Sequence, residues 1–244
     1  MRLTQQERAD RKAAFRRMTL PEKAEFIFAY YKLPLVLLLL ALVAVSTVLY
    51  HAVTGKEAVL YLGCANVSLG DDLTLELTED YLAFAGLDPR RQEIYVYSAL
   101  YLSDDPAPEN HEYAYASKLK VIASVNSRQL DAVLMNRESC DLLTRDGYLL
   151  PLGPALDADP VLRERLIPYL TENDVVLADN ALEYRLGETE SYEETVESAV
   201  NALQVSDMPR FAAASFSGAV YLGVIANSPR LPAVLDYLSY LVSP

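Results

Sequence analysis

Residues 33–50 form an apolar run of eighteen positions that contains no charged side chain. A helix of this length extends about 27 Å at about 1.5 Å per residue, close to the roughly 30 Å hydrocarbon core of a bilayer. Eight Lys or Arg residues precede the run, whereas the twenty residues after it contain only Lys56. This asymmetry predicts a single-pass helix in the cell membrane, with residues 1–32 as a cytoplasmic basic segment and residues 51–244 outside the cell.

The sequence that flanks the apolar run indicates whether the run is retained, cleaved as a signal peptide or replaced by a lipid anchor. Thr19 and Glu22 have the spacing of a capping box, which predicts a short helix within the basic segment. A cleavable signal peptide is the first alternative, but such peptides begin with a short basic region rather than thirty-two charged, partly amphipathic residues. Lipidation at Cys64 is the second, although Leu62 stands where lipoprotein motifs have a small residue. We therefore expect a retained membrane helix and a buried strand around Cys64.

Short β-rich segments alternate with helical patterns from residue 58 onward, which is typical of βαβ units. Strands are predicted over 58–65, 93–102, 130–136, 174–180, the second half of 196–206 and 217–228. Helices are predicted over 71–86, 111–127 and 137–147, from Pro160 behind an Asp159 cap, and over 231–242. The predicted fold is α/β, with a mostly parallel sheet flanked by helices in one domain or two small lobes.

Apolar spacing assigns a buried face to the predicted helices. In the first helix this face is Leu73, Leu77, Tyr81 and Phe84, although Leu73, Leu75 and Leu77 also alternate as they would in a strand. In the second helix the predicted face is Tyr115, Leu119, Ile122 and Ala123. In the last it is Leu231, Leu235, Leu238 and either Leu241 or Val242.

The net charge of −13 is unevenly distributed along the chain. Residues 1–32 carry eight basic and four acidic side chains, whereas the remainder carries 13 basic and 30 acidic side chains, a balance of −17. So acidic a domain repels phosphate backbones, so no nucleic acid is expected as a partner. Cys64 and Cys140 are the only cysteines, and we expect two buried thiols, with a single disulfide as the alternative.

Few features of the sequence indicate an enzyme. His51 and His111 are the only histidines, and neither stands beside a nucleophile in a known motif. Glu109, His111 and Glu112 are more typical of a solvated acidic turn than of a metal site. We expect no enzymatic activity, no metal and no cofactor.

Polar residues follow several of the predicted strands, at the positions where each strand ends. The carboxyl ends of parallel strands meet at one edge of a sheet, and open α/β sheets bind ligands there. Such residues are also common turn formers and helix caps, so only several of them together indicate a binding site. The candidate ligand-binding residues are Asn66, Ser68, Ser103, Asp104, Asn136, Arg137, Asn180 and Asn227.

Arg137 is the candidate with the most distinctive chemistry. Its planar guanidinium could hold a carboxylate or phosphate at the edge of the sheet. The competing interpretation is a surface ion pair with Glu138 or Asp141, which contributes about 0 to 1 kcal/mol.

Three passages share features with one superfamily of binding proteins. Residues 128–152, RQLDAVLMNRESCDLLTRDGYLLPL, look like a strand, a ligand-side turn and a helix before a crossing between two lobes. VNALQVSDMPRF looks like a returning strand, and GAVYLGVIANSPRLPAVLDYLSYL like a late strand and its helix. Together they resemble the type II periplasmic, or extracellular, solute-binding superfamily. The N-terminal EKAEFIFAYYKLPLVLLLL is similar to a group of single-pass membrane proteins of Firmicutes.

Two functions are consistent with these features. The first is a membrane-anchored extracytoplasmic domain that binds a small ligand without catalysis. The second is a structural or accessory interaction domain that docks onto a membrane protein partner and has no small-molecule ligand. A deep cleft into which Asn136 and Arg137 point would favour the first, and a filled or flat edge would favour the second.

Overall fold

The computed structural model describes Thr19 and residues 33–34, 36–47, 55–187 and 189–243. The chain divides into two compact units, Met1–Gly55 and Lys56–Pro244. In the first unit, residues 33–34 and 36–47 are helical with exposed side chains. Within the described residues, no helix has both the length and the hydrophobicity needed to cross a membrane. Residues 35 and 48–50 of the expected membrane helix, and the short helix after Thr19, lie outside the described residues, so the anchor stays a prediction.

A six-stranded sheet with the order β2-β1-β3-β6-β5-β4 organises the second unit. Its strands are β1 (Glu57–Ala65), β2 (Gln92–Leu100), β3 (Ala132–Met135), β4 (Leu170–Asp179), β5 (Glu194–Gln204) and β6 (Tyr221–Val224). β1 pairs in parallel with β2 and β3, whereas the three pairings among β3, β6, β5 and β4 are antiparallel. The α/β class is confirmed, but the prediction of a mostly parallel sheet is wrong.

The reversal of strand direction has a simple cause in the connections. Helices joining β1 to β2 and β2 to β3 return the chain to the edge where it started, which parallel pairing requires. β4 instead continues into β5 through a hairpin, and β5 continues into β6 at the edge where β5 ends, with Gln204 opposite Tyr221. Connections that stay at one edge join antiparallel strands. The second unit is therefore one compact body with a single sheet rather than two small lobes.

Eight α-helices are described around this sheet. They are α1 (Asp71–Leu75), α2 (Tyr81–Phe84), α3 (His111–Asn126), α4 (Arg137–Arg145), α5 (Leu152–Leu156), α6 (Pro160–Leu166), α7 (Ala181–Arg185) and α8 (Leu231–Leu241). A π-helical turn, Glu76–Asp80, connects α1 to α2, so the predicted first helix is confirmed and its strand alternative is wrong. The expected crossing over 148–152 does not leave the sheet, because Leu149 forms an antiparallel bridge with Ile225.

The core lies on both faces of the sheet. All four residues of β3 are buried, and successive side chains of a strand point to opposite faces. Ala132 and Leu134 accordingly belong to one apolar cluster, which includes side chains of α1, α2 and α8. Val133 and Met135 belong to a second cluster, which includes side chains of α3 and α4.

The predicted buried face of α3 is wrong. Tyr115 and Leu119 are 67% and 47% exposed, whereas the buried residues are Ala114, Ser117, Val121, Ser124 and Val125. Small side chains let the helix approach the sheet closely, and the Ser117 hydroxyl accepts a hydrogen bond from the Tyr101 amide at 3.1 Å. Ser117 and Ser124 are polar, so hydrophobic periodicity does not reveal this face.

Tyrosines of α8 fix the π-helical turn against the sheet. Tyr237 donates a hydrogen bond to the carbonyl oxygen of Leu77 at 3.1 Å, and Tyr240 donates one to that of Glu76 at 2.7 Å. A π-helical turn disturbs the regular pairing of helical carbonyls, which side-chain donors can then satisfy. The predicted apolar face of α8 is confirmed at Leu238 and Leu241, and the tyrosines extend it.

A buried carboxylate joins β1, β3 and the turn after β6. Asp131, at the start of β3, is fully buried, and its oxygens accept hydrogen bonds from the Tyr61 amide at 2.8 Å and the Ser228 hydroxyl at 2.6 Å. The Arg230 guanidinium donates to the same carboxylate at 2.8 Å and lies over the Tyr61 ring. A buried charge with this many partners is stabilised only while all of them remain.

Replacement of this carboxylate should therefore destabilise the domain strongly. Asp131→Ala leaves Arg230 without its partner, and we expect a loss of about 3–5 kcal/mol, or roughly 6–20 °C in unfolding temperature. Asp157→Ala is the matched control, because its ion pair with Arg163 is exposed and should contribute less than about 1 kcal/mol. Thermal unfolding followed by circular dichroism measures both, and equal shifts in the two variants would contradict the assignment.

Candidate functional site

The loops after β1 and β3 meet at one edge of the sheet, as expected for parallel strands. Asn66 Nδ2 lies 3.4 Å from Asn136 Oδ1 and donates a hydrogen bond to the carbonyl oxygen of Leu102 at 2.6 Å. Asn66 Oδ1 accepts a hydrogen bond from the Leu102 amide at 3.0 Å. The backbone of Asn66 has a positive φ of 55°, which asparagine adopts more readily than most residues. Asn66 thus ties the ends of β1 and β3 to the loop after β2.

Asn136 serves the helix that follows it. Its Oδ1 accepts a hydrogen bond from the Ser139 amide at 3.0 Å, the arrangement of an N-cap at the start of α4. With the Asn66 contact, this bond commits the Asn136 side chain to structural partners. The structure therefore does not provide the free, inward-pointing Asn136 that a ligand cleft between β1 and β3 would need.

A pocket of about 540 Å³ opens at the carboxyl ends of β1 and β2. We call it the β1–β2 pocket. Its lining includes the apolar Val67, Leu69, Val96, Ala99 and Leu100 together with Cys64 and the polar Asn66, Ser68, Thr74, Ser98, Tyr101 and Tyr113. Small-molecule sites commonly measure about 300–1,000 Å³ and combine apolar walls with a few polar groups. The β1–β2 pocket has this size and this composition.

Two tyrosines shape one wall of the pocket. The rings of Tyr101 and Tyr113 are stacked, with centroids 5.9 Å apart and an interplanar angle of 10°. Tyr113 donates a hydrogen bond to the carbonyl oxygen of Ala99, whose backbone has a positive φ of 57°. In the described part of the chain, Ser68 and Ser98 form no side-chain hydrogen bond, so both hydroxyls remain available to a ligand. Of these pocket residues, only Asn66 and Ser68 are among the eight candidate ligand-binding residues predicted from the sequence.

A larger depression of about 1140 Å³ lies between α4 and the hairpin formed by β4 and β5. We call it the α4–hairpin groove. Its charged lining consists of Lys118, Arg137, Arg145, Arg185, Asp104, Asp141, Asp146, Asp174, Asp179 and Glu194. Three of the cations form ion pairs. On α4, Arg137 pairs with Asp141 at 2.7 Å and Arg145 with Asp104 at 2.6 Å; on α3, Lys118 pairs with Asp146 at 3.4 Å.

Arg137 and Asp104 therefore belong to the groove rather than to the β1–β2 pocket. Arg137 is half exposed, pairs with Asp141 and lies over the Tyr221 ring at 5.6 Å. This is the surface ion pair that the sequence analysis weighed against a ligand clamp. Ser103 lies elsewhere again, beside a small cavity of about 30 Å³ lined by residues of α3 and α4.

The two remaining candidates follow strands that run the opposite way. β4 and β6 are antiparallel to β5 and β3, so their carboxyl ends lie at the other edge of the sheet. Asn180 stabilises the hairpin, accepting from the Glu193 amide at 2.7 Å and donating to the Ser191 carbonyl at 2.9 Å. Asn227 donates to the carbonyl oxygen of Val125 at 2.9 Å. The expectation that all eight candidates meet at one edge is wrong.

Both cysteines are free and buried, so the prediction of two buried thiols is confirmed and the disulfide alternative is wrong. Burial raises the pKa of the Cys64 thiol to about 12 and that of the Cys140 thiol to about 11. A protonated thiol is a weak nucleophile. Cys64 therefore contributes shape rather than reactivity to the β1–β2 pocket.

A buried polar cluster holds α4 on β4 and β5. Asn173 donates to Asn201 Oδ1 at 2.6 Å, and Asn201 donates to the Thr144 hydroxyl at 3.2 Å. Asn173 Nδ2 also lies 3.9 Å from the sulfur of Cys140. The sequence analysis missed this cluster, because an asparagine in or beside a strand carries no signal of which helix will cover it. It fixes the two walls of the α4–hairpin groove relative to each other.

Comparison with protein family models, curated proteins and solved structures found no match to this chain. The resemblance to solute-binding proteins rests on the three sequence passages alone. The functional interpretation therefore depends on the geometry of the pocket and the groove.

The two thiols give the domain a specific sensitivity to alkaline pH. Their pKa values in the folded state exceed the ordinary value of 9.0, so the stability they confer is complete below pH 9 and is lost as pH rises toward 11 or 12. Urea unfolding between pH 8 and 11 should show a steeper loss for the native chain than for a Cys64→Ala/Cys140→Ala variant. The buried tyrosines are present in both proteins and contribute equally to both curves. Parallel curves would therefore contradict the assignment of the pH sensitivity to the thiols.

Proposed function

We propose that residues 51–244 form a non-enzymatic extracytoplasmic domain, anchored by an N-terminal membrane helix, that binds a small ligand in the β1–β2 pocket. The observation that carries this proposal is the position of the pocket at the carboxyl ends of two parallel strands. Ligands of open α/β sheets bind at that edge. The order β2-β1-β3, with helices on both faces, also supports a relationship to one lobe of a solute-binding protein.

The lining of the pocket indicates the chemistry of its ligand. None of the described lining residues is a carboxylate, a histidine or a cation. A charged ligand would lose its hydration there without gaining an opposite charge. The hydroxyls of Ser68, Ser98 and Tyr101 offer hydrogen bonds, and the stacked tyrosines offer an apolar wall. A small, neutral, hydrogen-bonding molecule fits this lining best.

The same lining supports a binding role rather than catalysis. Proton transfer in enzymes uses a side chain whose pKa lies near the working pH. Cys64 is the only thiol of the pocket, and burial keeps it protonated because its pKa rises to about 12. Nucleophilic attack by Cys64 would need a base to remove that proton, and the described lining supplies none.

The interaction-domain hypothesis also has a specific observation in its favour. Asn136 and Arg137 are committed to internal partners, which makes the edge beyond β3 a poor ligand cleft. The α4–hairpin groove is open and charged, and it exceeds the usual volume of a small-molecule site. A domain that docks onto a second membrane protein would use such a surface.

Filling the pocket should weaken ligand binding. The full-length chain is screened by thermal shift against neutral and charged amino acids, sugars and peptides. A neutral hit at about one hundred times its Kd should raise the unfolding temperature by roughly 5–10 °C. Ser98→Leu, which fills the pocket without breaking a described hydrogen bond, should weaken that hit by about tenfold or more. The matched control is Ser198→Leu, another exposed strand serine outside the pocket lining.

Two outcomes would contradict the binding proposal. One is a broad library in which no compound raises the unfolding temperature. The other is a set of hits whose affinity Ser98→Leu and Ser198→Leu change equally, which would place the site elsewhere.

The orientation of the chain is tested by cysteine labelling. Ser198→Cys places an exposed thiol in the second unit, and Gln5→Cys places one in the basic segment. In intact cells, a membrane-impermeant maleimide should label Ser198→Cys at once and Gln5→Cys only after lysis. The native chain is the control, because both of its thiols are buried and protonated. Labelling of Gln5→Cys in intact cells would contradict the predicted orientation and place the basic segment outside the cell.

A further inference from the structure

We propose that the free edge of β4, together with the α4–hairpin groove, binds an extended basic segment of a partner polypeptide, which joins the sheet as a seventh strand. This site is separate from the β1–β2 pocket, and the inference does not depend on ligand binding there. Added strands are a common mode of peptide recognition, in which main-chain hydrogen bonds give affinity and side-chain contacts give specificity.

β4 supplies the backbone of the proposed site. It is the last strand of the sheet, and in the described part of the chain its strand partner is β5 alone. One side of its backbone therefore carries amide and carbonyl groups that face no other strand. Its sequence, LTENDVVLAD, contains no Pro and no Lys, which commonly block strand addition at an edge. Its charged side chains are the carboxylates of Glu172, Asp174 and Asp179, which repel an acidic strand but attract a basic one.

The register of the hairpin defines where a strand can be added. Irregularities occur between Thr171 and Glu172 and between Val176 and Ala178. Between them, Glu172–Val176 pair in continuous register with residues 200 to 196 of β5. Five residues extend about 17 Å, enough for a short regular ladder with an incoming segment.

The groove keeps an excess of negative charge once its internal ion pairs are formed. Asp174, Asp179 and Glu194 line the hairpin side of the groove, and none has a cationic partner among the described residues. Arg185 is the groove cation that pairs with no described carboxylate. Three carboxylates against one guanidinium favour lysine and arginine side chains on the incoming segment.

The groove also has an apolar surface in addition to these carboxylates. Val176 and Val196 form a cross-strand pair and both line the groove. Tyr184 and Tyr192 line the same groove, with their rings in edge contact and centroids 6.3 Å apart, and both are exposed. Side chains of an added strand alternate between two faces. Every second side chain of an added strand therefore faces the groove. Lysine or arginine at these positions can lay its methylene stem on this apolar surface and place its charge on the carboxylates.

The β2 edge is a poorer site for a basic segment, and a second copy of the chain is a poorer occupant of the β4 edge. The opposite edge strand, β2, lies near cations, with Lys120 over the Tyr97 ring. Pairing of β4 with β4 of a second copy would bring together the carboxylates of Glu172, Asp174 and Asp179 from both chains, and like charges opposite each other destabilise a strand pair.

The probe is a fluorescent eight-residue peptide of alternating Lys and Val, titrated into the full-length chain and followed by anisotropy. We expect saturable binding that weakens as salt is raised. An alternating Lys–Pro peptide keeps the charge but loses half of the backbone donors, and it should bind about tenfold more weakly or worse. An alternating Glu–Val peptide should not bind.

Charge reversal on the protein supplies the second half of the test. Asp174→Lys/Glu194→Lys should weaken the Lys–Val peptide by about tenfold or more, because both side chains line the groove. Glu164→Lys on α6, an exposed acidic residue outside the groove lining, should change its Kd less than about twofold. Ser98→Leu should leave peptide binding unchanged, which separates this site from the β1–β2 pocket.

Three results would overturn the inference. Equal affinity for the Lys–Pro and Lys–Val peptides would mean attraction by charge without strand addition. Undiminished binding to Asp174→Lys/Glu194→Lys would place the peptide elsewhere. A dimer in light scattering that blocks the peptide would identify a second copy as the occupant of the β4 edge.

Discussion

The buried Asp131 carboxylate is the constraint on which the arrangement of this sheet depends. It stands at the boundary between the parallel strands and the antiparallel ones, and it is bound from both sides. The Tyr61 amide of β1 donates to it, and Ser228 and Arg230 reach it from the turn after β6. The Asp131 backbone repeats the pattern, accepting from the Ile225 amide and donating to the Tyr61 carbonyl. Parallel and antiparallel halves are thereby held in one register around a strand that is entirely buried.

The change of strand direction at β6 determines which surfaces the molecule offers. In the parallel half, the ends of β1 and β2 lie side by side, and residues of the loops beyond them line the β1–β2 pocket. In the antiparallel half, β4 and β5 continue into a long hairpin whose residues are largely exposed beyond the buried Asn173–Asn201 pair. A helix on one side and a hairpin on the other leave an open groove. The same sheet therefore combines a pocket whose described lining carries no charge with a groove whose lining is charged.

The sequence predicted what depends on local periodicity and missed what depends on the choice of partner. Each of the six strands overlaps a predicted one, because alternating and β-branched residues mark strands regardless of their neighbours. The prediction covered only the second half of β5 and began β4 at residue 174 instead of Leu170. The Asp159 cap was also predicted, and its carboxylate accepts from the Leu162 amide at 3.0 Å. The antiparallel direction of β6 was not predicted, because the residues of YLGV carry no information about the direction in which the strand pairs. Nor were the roles of Asp131 and Arg230, which lie 99 positions apart and meet only through the fold.

The turn after β3 joins the two proposed binding surfaces. Asn66 lines the β1–β2 pocket and contacts Asn136, which caps the helix that carries Arg137, Asp141 and Arg145 into the groove. Asn66 uses both of its amide hydrogens within the protein and keeps a lone pair on Oδ1 beyond the bond from Leu102. A neutral ligand can therefore approach Asn66 as a donor without displacing Asn136. The contact that positions α4 is thus compatible with an occupied pocket, so occupancy of the pocket does not require the groove to change shape.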